Sequence, residues 1–242
     1  MPAVRRPRST SPALPLAAAQ QSGADKRERI LSAAEDLLYR NGMVGTTMDM
    51  LCAELGVTKP YVYYYFKDKQ EIVETRAWRA SLACLTTMKF PADDRRAAEE
   101  KLAEGLQRWV AACVTHFRAS ALAFRVTASL RPEFRAELRG LANDFYADLA
   151  ALMEAGRREG RLDFEDAAVT AKAMGGVVGF MYTWYRPDGR LPPEELVARL
   201  TGTLYRMIGL RPTAPKCAPK CAPKRTPTTR KRTGRNFADA PQ

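Results

Sequence analysis

Between residues 25 and 210, apolar side chains return every three or four positions, the spacing of one face of an α-helix. No stretch shows the two-residue alternation of a half-buried strand. Asp25 to Arg40 carries Ile30, Ala33, Ala34, Leu37 and Leu38 on one stripe. Asp25 and Glu28 form a capping-box-like pair at its start, and Asn41-Gly42 stops it. A short helix over about Thr47 to Leu55 follows, with Thr46 as its expected N-cap, then a turn at Gly56. A second short helix begins near Thr58 and ends around Phe66. Asp68 and Glu71 cap a longer helix whose inner face reads Val73, Ala77, Ala80, Cys84 and Met88. Beyond Pro91, one amphipathic stripe is Leu102, Leu106, Trp109, Cys113 and Phe117. Another is Phe134, Leu138, Leu141, Phe145, Leu149 and Leu152. A helix over about Glu165 to Tyr185 is apolar or small on all sides and ends at the turn RPDGRLPP, and a last helix runs from about Glu194 to Ile208. The expected fold is all-α with about nine helices.

Composition narrows the function. With 46% apolar residues, a chain of 242 residues can bury a real core. No apolar run approaches the length needed to cross a bilayer, so no membrane role is expected. The opening Arg5, Arg6 and Arg8 precede a mildly apolar stretch broken by Pro12 and Pro15, too short for a signal-peptide core. Residues 1–24 read as a disordered leader and the protein as cytoplasmic. Five cysteines, an odd number without framework spacing, argue against a disulfide scaffold, and a single histidine, His116, argues against zinc. There is no Gly-rich phosphate loop, nucleophile triad or carboxylate pair, so neither enzyme activity, metal nor cofactor is expected.

The net charge of +12 is unevenly placed. Residues 1–24 hold three basic and no acidic side chains, residues 211–242 nine basic and one acidic, and the remainder is nearly neutral. The segment APKCAPKCAPK (214–224) has Pro at every fourth position, which bars a helix and leaves nothing to bury. Residues 212–242 therefore read as a disordered basic tail suited to a polyanion.

Two short helices joined at Gly56 and preceded by a longer support helix have the layout of a helix-turn-helix. Cys52, four residues before Gly56, meets the second helix closely and must be small; Val57 and Val62 bury against Leu51 and Leu55. With Val62 inward, Pro60, Tyr61, Tyr63 and Tyr64 fall on the outer half of the second short helix, and Tyr65 and Phe66 flank the inner half. A recognition helix enters the major groove by its N-terminal end, which puts Thr58, Lys59, Pro60 and Tyr61 nearest the bases. Lys59 can donate to guanine, Pro60 can touch a thymine methyl, and Tyr63 and Tyr64 can donate to phosphates. Residues 25–69 hold equal numbers of basic and acidic side chains. Lys26, Arg27, Lys59, Lys67 and Lys69 must then gather on the DNA side, with Glu35, Asp36 and Glu54 turned away.

The segment RILSAAEDLLYRNGMVGTTMDMLCAELGVTKPYVYYYFKDKQEIV (29–73) resembles the tetracycline-repressor (TetR) family of bacterial transcriptional regulators. The elements ILSAAEDLL, G…TT, AELGV and YYYFKDKQEI stand in the family's order and spacing. Cys52 replaces a usual Ala, and Pro60 and Tyr61 occupy positions that are often Gly or Ala and Thr or Ser. The resemblance implies phosphate contacts from Thr47, Tyr63, Tyr64 and Lys69. It also implies a helix-turn-helix domain over 25–70 and a helical ligand-binding and dimerisation domain over 71–211. The expected function is a homodimeric regulator, a repressor released from a palindromic operator on double-stranded DNA by a small-molecule effector. YRPDGRLPPEEL (185–196) is similar to text in members that respond to acyl-CoA thioesters or related acids. Gly175, Gly176 and Gly179 suit either close approach of helices between protomers or local packing. Ligand contacts are expected from Trp109, Phe117, Phe124, Arg125, Phe145, Met181 and Trp184. Arg125 is the candidate for an acidic ligand group, or else a surface arginine, and His116 reads as a surface or satisfied core side chain. The rival is a helical small-molecule-binding protein or enzyme whose N-terminal helices serve only as an interaction module.

Overall fold

A computed structural model describes residues 22–126 and 129–211, with backbone alone for Ala123, Phe124 and Val126. Among these residues every regular element is a helix. The helices are α1 (Gly23–Gly45), α2 (Met48–Leu55), α3 (Lys59–Tyr65), α4 (Lys69–Leu85), α5 (Ala98–Thr115), α6 (Phe117–Val126), α7 (Pro132–Arg158), α8 (Ala167–Gly179), α9 (Met181–Trp184) and α10 (Pro193–Met207). The expected tail (212–242), and the leader (1–24) up to residue 21, lie outside the described residues.

Local chemistry sets the ends of the helices. The start of α1 lies three residues ahead of the expected capping pair. Ser22 accepts the Asp25 N–H and the Asp25 carboxylate accepts the Ser22 N–H, a capping box. Glu28 is drawn instead to Arg76 and Arg79 on α4. Gly42, in a conformation open only to glycine (φ 72°), kinks α1 rather than ending it, and a last turn continues to Gly45. The N-cap of α2 is Thr47, not Thr46. Thr46 is buried, and its hydroxyl shares its proton between the Gly42 carbonyl at 2.9 Å and the Leu37 carbonyl at 3.2 Å, beside the kink. Asp68 caps α4 as expected, accepting the Glu71 N–H at 2.7 Å.

Two expected continuities are broken. The stripe from Leu102 to Phe117 spans two helices, because α5 ends at Thr115 with His116 as its C-cap and Phe117 opens α6. The helix expected over Glu165 to Tyr185 is split at Phe180 into α8 and the single turn α9. Gly175, Gly176 and Gly179 lie just ahead of that break, where three glycines in five residues weaken the helix.

Burial produces two cores. The first gathers Ile30, Leu31, Leu38, Leu51, Val62, Phe66, Ile72 and Val73 from α1 to α4, with Leu122 of α6 and Leu130. The second holds the far end of α4 with α5, α7, α8, α9 and α10 around Leu102, Leu106, Phe145, Leu149, Met153 and Met174. Helix α4 belongs to both cores, so it forms a strut that joins them.

Candidate nucleic-acid interface and cavity

Gly56 makes the turn between α2 and α3. At φ 66° its N–H reaches back to the Cys52 and Ala53 carbonyls, and the Val57 N–H bonds the Cys52 carbonyl at 3.0 Å. Cys52 is buried behind this turn. Val62 and Phe66 are fully buried and fix the rotation of α3. Tyr64 is therefore 82% exposed and Tyr63 49% exposed, both on the outer face as expected. Tyr65 turns inward at the edge of the core, again as expected, and burial pushes its phenol above the ordinary value. Tyr61 departs from expectation. It is half-buried, one turn before Tyr65, with the two rings edge to face at 5.5 Å. The i,i+4 pairing of two large rings draws it off the outer half.

Thr58, Lys59 and Pro60 are exposed at the start of α3, and Thr58 makes no capping hydrogen bond. Lys59 Nζ lies 2.7 Å from Asp49 Oδ1; the hydrogen bond to that carboxylate raises the lysine pKa. Exposed pairs of this kind contribute little, so the lysine exchanges partners readily. The exposed Thr47 hydroxyl accepts the Met50 N–H at 3.2 Å. Lys69 is more committed. Its ammonium donates to the Met43 and Thr46 carbonyls at 2.6 Å each, closing the end of α1 and leaving one N–H of three. Glu35, Asp36 and Glu54 are each engaged by an arginine. Glu35 pairs with Arg76, Asp36 with Arg118 at 2.6 Å, and Glu54 with Arg40 at 3.4 Å.

A cavity of about 330 Å³ opens between α4, α5, α6, α7, α8 and α9. Of the expected ligand residues, Trp109, Phe117 and Met181 line it. Phe145 stands behind Trp109, fully buried, with ring centres 4.7 Å apart. Trp184 is half exposed and outside the wall. Arg125 lies over the Tyr39 ring at 5.9 Å, on a separate cleft beside α1, because the break at His116 rotates α6 relative to α5. The Phe124 side chain lies outside what is described.

The polar wall was not foreseen. Arg135 and Arg139, four residues apart on α7, reach the cavity beside Leu138, and neither has an ion-pair partner among the described residues. Among the described residues no carboxylate lines the space. Tyr146 adds a phenol whose pKa is raised by burial. Placing Arg135 and Arg139 on either side of Leu138 in the α7 stripe would have found them; Arg125 drew attention because it interrupts an apolar run. Gly175 packs locally: a Cβ there would overlap the Tyr146 hydroxyl. Gly176 faces open space.

The cavity helix α7 is tied to α4 through its N-cap, Arg131. Arg131 donates through Nη1 to Glu74 Oε2 at 2.5 Å and through Nη2 to Asp68 Oδ2 at 2.8 Å, while its backbone N–H bonds Glu74 Oε1 at 2.9 Å. Gln70 Nε2 adds a bond to the Ser129 carbonyl at 2.9 Å. Asp68 is the N-cap of α4, three residues beyond the end of α3. The wall carrying Arg135 and the frame carrying α3 therefore share one guanidinium.

Comparison with known proteins agrees with this arrangement. Residues 30–75 match the family described as bacterial regulatory proteins, tetR family, and residues 95–208 match the tetracyclin repressor-like C-terminal domain. The HTH-type transcriptional regulator EthR of Mycobacterium tuberculosis is 33% identical over 82 residues, 32% of this chain and only 38% of that protein. EthR of Mycolicibacterium smegmatis is 28% identical over 192 residues, covering 76% of this chain and 86% of that one. The crystal structure of AibR in complex with isovaleryl coenzyme A and operator DNA shares the fold, with a TM-score of 0.62 and 22% identity over 74% of this chain and 98% of AibR. The chain belongs to the tetracycline-repressor (TetR) family of bacterial regulatory proteins.

Proposed function

We propose that this protein is a homodimeric transcriptional repressor, acting in the cytoplasm, that leaves a palindromic operator when a small acidic molecule fills the cavity. The observation that carries the reading is the outward pair Tyr63 and Tyr64 on a helix locked by Val62 and Phe66, with Thr58, Lys59 and Pro60 leading. That face can enter a major groove by its N-terminal end and rest its phenols on the phosphate walls. Thr47 caps α2 beside it, and Lys69 keeps one N–H for a phosphate.

Dimerisation is supported by the outer side of α8 and α9, where Val169 (66% exposed), Phe180 (64%) and Trp184 (51%) stand in solvent. Exposed apolar side chains on these two consecutive helices suit a face that a second copy would cover. A twofold pair would hold its two α3 helices about one helical turn of DNA apart, near 34–36 Å. The cavity walls favour an effector with an apolar body and an anionic end, since Arg135 and Arg139 lack carboxylate partners. AibR, solved with isovaleryl coenzyme A, supports a thioester or free acid of that shape. Binding would pull α7, strain the Arg131 bridge and tilt α4, so that the two heads no longer fit together.

The test is an electrophoretic shift with the DNA upstream of the protein's own gene, followed by titration with octanoate and octanoyl-CoA. A retarded twofold complex released by either compound is the expected result. No preference for that DNA over random sequence would reject the repressor reading in favour of the small-molecule-binding alternative. Lys59→Ala is expected to relax base discrimination by roughly 1–3 kcal/mol.

A further inference from the structure

The acid-binding reading leaves one group of the cavity wall without a purpose. Three helices deliver three small nucleophilic side chains to one place: Cys84 from α4, Cys113 from α5 and Ser120 from α6. All three line the cavity, and Cys84 Sγ lies 4.0 Å from Ser120 Oγ. Buried cysteine is often only a small apolar filler. A filler, however, has no need of polar company, and here the Ser120 hydroxyl lies beside Cys84 Sγ while Cys113 lines the same space. The two sulfurs are also unequal. The hydrogen bond from Cys113, then that from Ser120, lowers the Cys84 pKa against the effect of burial. The same bond, with burial, holds Cys113 protonated. Cys84, which meets the Ser120 hydroxyl on the cavity wall, is therefore the sulfur placed to react, with Cys113 beside it as a thiol that keeps its proton.

We propose that Cys84 is a covalent acceptor site for small apolar α,β-unsaturated carbonyl compounds that enter the cavity, with Cys113 as its positioning partner. Trp109, Phe117 and Met181 offer such a molecule an apolar bed beside the sulfur. Cys84 Sγ forms a bond to the β-carbon while the carbon–carbon double bond opens toward the carbonyl. The α-carbon then takes up the proton that Cys84 gives up. The product is the sum of thiol and alkene, so no oxidant or reductant takes part. Because Cys84 sits in the last turn of α4, the adduct swells the wall of the same strut that carries Asp68 and Lys69 at its other end. Modification therefore acts on operator binding without the acid-binding arginines.

The full-length protein is treated with trans-2-hexenal and digested, and the adduct on each cysteine peptide is followed by mass spectrometry. Cys217 and Cys221 serve as reference thiols from the same chain. The expected result is a Cys84 labelling rate at least tenfold above that of Cys52, which is buried away from the cavity. Cys113→Ser is expected to slow labelling of Cys84 several-fold while leaving Cys217 and Cys221 unchanged. In parallel, hexenal is expected to release operator DNA from the wild type and from Arg135→Gln/Arg139→Gln, but not from Cys84→Ala. Equal labelling of Cys84 and Cys52, unchanged labelling in Cys113→Ser, or release that persists in Cys84→Ala overturns the proposal. The labelling arm needs no DNA, so it stands or falls separately from the repressor reading.

Discussion

The Arg131 bridge can be tested quantitatively. Glu74 is 7% exposed and has three donors: the Arg131 guanidinium at 2.5 Å, the Arg131 backbone N–H at 2.9 Å and Gln70 Nε2 at 3.3 Å. Arg131→Leu keeps the backbone N–H and the apolar stem but removes the charge. A hydrogen bond to a buried carboxylate is worth about 2 kcal/mol. The Asp68 pair, with both side chains about 40% exposed, adds only about 0.5 kcal/mol. The expected loss for Arg131→Leu is about 2.5 kcal/mol. Glu74→Gln preserves shape and leaves no buried charge behind, at about 1.5 kcal/mol. In the double variant the leucine no longer strands a carboxylate, so the sum should fall short by about 1.5 kcal/mol. Urea unfolding at one fixed protomer concentration measures the cycle. A coupling energy below about 0.5 kcal/mol would mean the residues act independently. If the bridge also holds α3 in register, Arg131→Leu should weaken operator binding at least fivefold, the lower end of typical coupling between sites. Strong coupling in unfolding with unchanged operator affinity would refute the transmission and leave the bridge purely structural.

Three further outcomes are expected. Tyr64→Phe deletes one exposed hydroxyl and should weaken operator and random DNA alike. Its salt dependence should match the wild type, because a neutral donor displaces no counterion; a changed slope by fluorescence anisotropy would contradict this. Hydrogen bonds from the Arg96 side chain and backbone hold the Asp94 carboxyl at about 2, below the ordinary 3.8. A depressed folded value stabilises above the unfolded one and is lost as pH falls, so Asp94→Asn should flatten the melting temperature against pH between about 4 and 2. Ending the chain after Leu210 removes nine basic and one acidic side chains. Binding to random DNA should weaken at low salt while operator preference persists, and equal random-DNA titrations would count against a polyanion role for the tail.

The head of the molecule was legible because its residues act locally. Turn glycine, caps and the inward Val62 lie within one short stretch, and helical period alone sends Tyr63 and Tyr64 outward. Two details there were not visible: Tyr61 pairs with Tyr65 one turn on rather than facing fully outward, and two of the Lys69 N–H groups are held by carbonyls more than twenty residues away. The cavity was read less well for the same reason. Stripes identify which side chains face inward, and Trp109 and Phe117 were found that way, while Met181 was picked as a large apolar residue of a helix without a stripe. They do not distinguish a packed interior from a wall, so Phe145 was placed too near the space. Nor do they show where a stripe changes helix, and the break at His116 sent Arg125 to the wrong side. Arg135 and Arg139 were hidden because arginines beside a stripe ordinarily read as its solvated border.

Gly175 carries one further consequence. Tyr146 can lean against α8 only because that position lacks a side chain. A methyl at residue 175 would push the phenol into the cavity and shorten it, whereas a smaller residue at 146 would lengthen it. The size of the accepted molecule is thus adjustable at two positions far from α3. A lineage could change what it senses in single steps while continuing to read the same stretch of DNA.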